Sequence, residues 1–111
     1  MEASTWTAGV LLYSGRRDPE WSIPDATTAG LQVALDGLPE LAGASQAPSR
    51  LGYRGAWVRT DDGRRVVAFN GRVTGQNGRS RADPERAFER AILETAPAGV
   101  LPVGADALFS M

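Results

Sequence analysis

From Tyr13 to Trp21 the chain reads YSGRRDPEW, which places two adjacent arginines and two carboxylates between two aromatic residues. Arg16 and Arg17 supply planar N–H forks that match a carboxylate or a phosphate, and Trp21 offers a flat face for stacking. Gly15 permits a positive φ immediately after Ser14. Such a loop suits an anionic, partly aromatic ligand or a peptide. The same residues also make an ordinary turn if Trp21 plugs a core and Arg16 or Arg17 pairs with Asp18, Glu20 or Asp25. A second grouping of aromatic and guanidinium side chains, Tyr53, Arg54 and Trp57, is the natural companion of the first.

Other chemistry is thinly represented. Asp18 with Glu20, or Asp61 with Asp62, has the residue types for a magnesium ion, and Tyr13 those for a general acid. Asp61-Asp62-Gly63 reads more simply as a turn. The chain has no Cys, no His and no Lys, so all twelve basic residues are Arg. Within these 111 residues that excludes a thiolate nucleophile, a Ser-His-Asp triad, a Schiff base, a phosphate-loop lysine and a zinc site of the usual kind. No cofactor and no metal are expected. The all-Arg bias, with many Ala and Gly, is also what a GC-rich coding sequence produces.

Charge is segregated along the chain. Residues 49 to 82 carry eight Arg against two Asp, whereas residues 1 to 48 and 83 to 111 are net acidic, for an overall charge of −1. A basic hairpin with Tyr53, Trp57 and Phe69 interleaved has the composition for single-stranded nucleic acid. The near-neutral total favours instead acidic helices that balance basic strands, since nucleic-acid binders show a basic domain.

The run SGRRDPEW, followed by a helix and later by LGYRGAWV, resembles a pattern of small uncharacterised bacterial proteins with an SGRxxPxW loop and an LGYRG patch. The likeness covers two short patches of the chain. It implies that Ser14, Gly15, Arg16, Trp21, Tyr53, Arg54 and Gly55 act together, and it carries no activity with it.

The elements that must position these residues follow from hydrophobic spacing. Residues 6 to 13, WTAGVLLY, suit a first strand with a central place in a sheet. From Pro24 the residues Thr27, Leu31, Ala34, Leu35 and Leu38 recur at helical spacing, with Asp25 in the first turn and Gly37 and Pro39 at the end. Gly30 beside that stripe predicts close approach of another backbone. Residues 39 to 50 read as a connecting loop.

Two strands follow around Thr60-Asp61-Asp62-Gly63-Arg64, where Asp-Gly signals a hairpin. On the second, Val67, Phe69 and Val73 fall on one side with Gly71, and Asn70 and Arg72 on the other; residues 76 to 81 read as a polar loop. Asp83-Pro84-Glu85 opens a second helix with Asp as its cap and Phe88, Ala91, Ile92 and Thr95 as its buried stripe. The apolar ending adds an edge strand or lays Leu108 and Phe109 on the core.

Together these predict one α+β domain over residues 1–111. It is a two-layer sandwich with a mixed or antiparallel sheet of three to four strands and two helices on one face, in the order β-α-β-β-α. The acidic Glu2 and the short run Val10-Leu11-Leu12 do not make a signal peptide, and no stretch approaches a membrane span, so a bacterial cytoplasm is expected.

The function expected is a non-catalytic binding or protein-interaction module that holds an anionic ligand or partner segment. Its residues would be Tyr13, Ser14, Arg16, Arg17, Trp21, Tyr53, Arg54 and Trp57. The alternative is a small cofactor-independent enzyme, of cyclase or isomerase type, using Tyr13 or a carboxylate as acid or base. Single-stranded nucleic-acid binding stands third. A carboxylate projecting into a closed apolar cavity favours the enzyme; a flat patch of Arg and Trp favours binding.

Overall fold

The computed structural model describes residues 5–12, 18–41, 53–75 and 78–110. Its strands are β1 (Trp6–Val10), β2 (Glu20–Ile23), β3 (Glu40–Leu41), β4 (Ala56–Arg59), β5 (Arg65–Phe69), β6 (Arg72–Gly75) and β7 (Ser80–Ala82). Its helices are α1 (Asp25–Asp36), α2 (Ala87–Glu94) and α3 (Ala105–Phe109), with a 3-10 turn at Pro84–Arg86 before α2. Among the described residues the strands form one antiparallel sheet in the order β2-β1-β4-β5-β6-β7-β3. The result is a small α+β domain, but its sheet has seven strands and not the expected three to four.

Three local features account for the difference. Glu20–Ile23 alternates exposed and buried residues, the period of a half-buried strand, yet four residues between Pro19 and Pro24 carry too little pattern to stand out from a loop. The stretch expected to be one strand breaks at Asn70-Gly71, whose φ values of 53° and 88° are those of a two-residue type I′ hairpin. Val67, Phe69 and Val73 therefore do not share a side: Ala68 stands opposite Val73, and both are buried. Finally, β7 falls partly within the expected polar loop, and β3 has only two residues, so both lie below what a hydrophobic pattern resolves.

The meander from β4 to β7 uses one turn twice. Thr60 donates its amide to the Arg64 carbonyl (2.8 Å) while Gly63 donates back to Thr60 (3.0 Å). Gly75 and Arg79 (2.9 Å), and Gly78 and Gly75 (3.0 Å), repeat the arrangement. Each turn thus delivers an arginine directly after its glycine.

One face of the sheet is covered. Trp6, Ala8, Val10, Trp21, Ile23, Ala56, Val58, Ala68 and Val73 form the core with Leu31 of α1, Phe88, Ile92 and Leu93 of α2, and Leu108 of α3. Helix α1 carries the chain from the β2 edge of the sheet to the β3 edge. Leu31, Leu35 and Leu38 of the expected stripe face the core and Thr28 is buried beside them, while Thr27 and Ala34 are exposed. An added Cβ at Gly30 would meet nothing within 4 Å, so no backbone approaches there. The apolar ending forms α3, with Leu108 fully buried, in place of an edge strand. Among the described residues no helix is long and apolar enough to cross a membrane.

Helix α2 is held by the acid that the sequence nominated, although it starts later. Asp83 is buried and its two carboxylate oxygens accept the amides of Phe88 (2.8 Å) and Glu89 (3.0 Å). Those are two of the orphan donors of a helix N-terminus. Between cap and helix, Glu85 and Arg86 both sit at φ 58°, the left-handed region that side chains avoid at a cost of about 1–2 kcal/mol per residue. That detour lets one aspartate cap a helix four residues downstream.

Candidate binding face

Strand alternation points Trp57 and Arg59 away from the helices, and the pairing of β1 with β4 sets Gly9 opposite Trp57. The glycine makes room for the ring. A Cβ at Gly9 would stand 2.4 Å from Cζ2 of Trp57, so the indole lies in a slot that no other residue leaves open. Trp57 is 6% exposed even though it faces away from the core.

Two guanidinium groups flank the ring. Arg65 lies 4.7 Å and Arg59 5.6 Å from its centroid. These arginines are directly opposed across β4 and β5, and both are exposed. Like charges in that register cost about 0.2–1 kcal/mol, which stacking on the ring offsets by about 0.5–1 kcal/mol for each cation. Held near one ring, the two exposed guanidinium groups bring their N–H forks close enough to serve a common carboxylate-bearing segment. Neither arginine is among the residues expected from the sequence, although their equal offsets from the Thr60–Arg64 turn are the signal that marks them as a pair.

The nominated residues are distributed unevenly. Tyr13, Ser14, Arg16 and Arg17 lie outside the described residues, as does Gly15. The roots of their loop are described: Leu11 donates to the Gly55 carbonyl (2.9 Å) and accepts from the Arg54 amide (2.7 Å), while Asp18 accepts the Leu12 amide (3.0 Å). The chain entering that loop thus runs beside residues 53–55, next to Trp57. Trp21 belongs to the core, its Nε1 donating to Thr95 Oγ1 (2.7 Å). Arg54 is half-buried.

Tyr53 is fully buried at the centre of a polar lock. Its hydroxyl donates to Glu89, itself fully buried, whose carboxylate also accepts the Asn70 amide (3.0 Å) and Arg86 through Nε (2.9 Å) and a terminal nitrogen (2.8 Å). Arg86 in turn lies 3.8 Å from the ring centroid of Phe109. Burial, then the hydrogen bond to Glu89 and its charge, push the Tyr53 phenol far above its ordinary value. The same carboxylate, through its hydrogen bonds first, raises Arg86. Through Glu89 the cluster fastens α2 to Tyr53, just ahead of β4, and to the β5–β6 turn.

Asp62 serves its turn. Asp62 accepts from the Thr60 hydroxyl and the Arg64 amide and pairs with the Arg64 guanidinium (2.8 Å); these contacts, the hydroxyl first, hold it below the usual carboxylate range.

With this geometry in view, the chain matches no protein-family model, no curated protein and no solved structure.

Proposed function

We propose that the chain is a non-catalytic protein-interaction module that holds an acidic partner segment against the face of the sheet opposite the helices, with Arg59 and Arg65 as the anion-binding pair and Trp57 as their platform. The opposed Arg59–Arg65 pair on one indole carries the reading. A sheet gains nothing from two like charges in register, whereas an acidic segment crossing the strands gains two preorganised forks. Trp and Arg are also the side chains enriched where protein interfaces concentrate their binding energy.

Two observations weigh against the other readings. The buried carboxylates Asp83 and Glu89 are engaged in structural hydrogen bonds, which leaves them unsuited to acid–base work. Tyr53 is buried and Phe69 lies beside Arg86, so neither offers a face on which a base would stack.

The test is titration with a hexaglutamate peptide at low and high salt, followed by calorimetry, on the natural chain and on Arg59→Gln/Arg65→Gln. Binding should fall at least tenfold in the double variant and weaken with salt. Equal affinity in the two proteins would overturn the proposal.

A further inference from the structure

The other face of the sheet carries a separate concavity. Between the C-terminal half of α1 and strands β5 to β7 lies a cleft of about 300 Å³, at the small end of ligand pockets. Leu35, Val66 and Val73 give it an apolar floor, and Arg64, Arg65, Arg79 and Arg81 stand around it.

The arginines arrive there by a repeated device. Arg64 and Arg79 hold the same position in the two matching hairpin turns, each directly after the turn glycine and each accepting an amide at its own carbonyl. They open β5 and β7, which lie two strand positions apart on the same end of the sheet, so their backbones are separated by roughly 10 Å. Two arginine side chains at that spacing reach a common point. Arg81 is tied down on the far side, donating to the carbonyls of Leu38 (2.9 Å) and Asp36 (3.3 Å) at the end of α1. The two acids of the cleft sit beside it: Glu40 is opposite Arg81 in register, and Asp36 accepts from Gln32 (2.9 Å). They balance Arg81, while at the turn end Arg64, Arg65 and Arg79 stand with Asp62. Asp62 takes Nε of Arg64 and fixes that guanidinium at the mouth.

We propose that this cleft binds a small amphipathic carboxylate, its apolar body on Leu35, Val66 and Val73 and its carboxylate between Arg64 and Arg79. A guanidinium pair beside an apolar floor supplies bidentate hydrogen bonds next to a hydrophobic surface, the combination that selects an anion with a hydrophobic tail over either property alone. The cleft opens on the helix side of the sheet, whereas Trp57 and Arg59 face the other side; Arg65 borders both.

Octanoate, octanol and octylamine, each below its aggregation limit, are titrated into the whole chain and followed by backbone amide shifts. Octanoate should shift Val73, Gly75 and Ser80 and bind at least tenfold more tightly than octanol or octylamine. Arg64→Gln/Arg79→Gln should lose that tenfold preference, and Arg59→Gln, outside the cleft, should keep it. Leu35→Trp, which fills the floor and leaves the arginines in place, should abolish binding, and it decides the matter if the double variant does not fold. Octanoate binding no better than octanol, surviving Leu35→Trp, or shifting residues of the Trp57 face in place of the cleft would overturn the assignment.

Discussion

Glu89→Gln removes one charge and almost no volume from the most buried ionic group of the fold. In the native chain the carboxylate is fully buried and receives four hydrogen bonds, from Tyr53, Asn70 and, twice, Arg86, whose side chain is 18% exposed. Glutamine keeps an acceptor for Tyr53 or Asn70 but leaves the Arg86 charge without its partner. Removing one member of a buried ion pair costs about 3–5 kcal/mol, and the partial exposure of Arg86 places this case near about 3. A domain of this size has a total stability of about 5–15 kcal/mol, so the loss is a large fraction of the whole. At roughly 4 °C per kcal/mol the midpoint of thermal unfolding should fall by roughly 12 °C.

Urea unfolding followed by tryptophan emission measures the same quantity. The companion Arg86→Met/Glu89→Gln removes both charges, keeps the amide acceptor, and should recover most of the loss. A cost below about 1 kcal/mol for Glu89→Gln, or a double variant less stable than the single one, would refute the assignment of this cluster as the fastening of α2.

Three further outcomes follow from the same geometry. Asp83→Ala strips the cap from two amides in a buried setting and should cost about 1–3 kcal/mol by urea unfolding. Gly9→Ala drives a methyl into the Trp57 indole, should destabilise by about 1–3 kcal/mol, and should shift the tryptophan emission, whereas an unchanged spectrum would mean that the ring does not lie over Gly9. Tyr53 has a raised pKa in the folded chain, so its contribution is fully present below the ordinary value of 10.0 and is lost as pH rises above it, when only the unfolded chain releases the proton. Absorbance at alkaline pH should therefore show Tyr53 ionising only together with unfolding, and Tyr53→Phe should remove that component of the alkaline instability.

Several elements were legible because short-range chemistry fixes them. Asp83-Pro84 announces a helix start in any context, since a carboxylate next to orphan amides is favourable wherever it occurs, and it caps α2 here. Asp62-Gly63 marks a hairpin because the turn needs a positive φ, and that turn joins β4 to β5. Composition closed off thiolate, imidazole and lysine chemistry without any geometry. The Asn70-Gly71 hairpin carried the same kind of signal and was passed over because the flanking valines looked continuous.

Tertiary structure decided the rest. Four residues such as Glu20–Ile23 have no strand propensity strong enough to declare themselves; pairing with β1 makes them a strand and buries Trp21, which local sequence left equally suited to a ligand platform. Glu89 is charged and lies on an amphipathic helix, where water is the ordinary expectation, and only the convergence of Tyr53, Asn70 and Arg86 makes its full burial affordable. Arg59 and Arg65 acquire meaning in the same way, because a register and a glycine on a third strand set both cations beside one ring. Local sequence controls backbone conformation over a few residues; which side chains meet across the sheet depends on pairings between segments far apart in the chain, and no single segment encodes them.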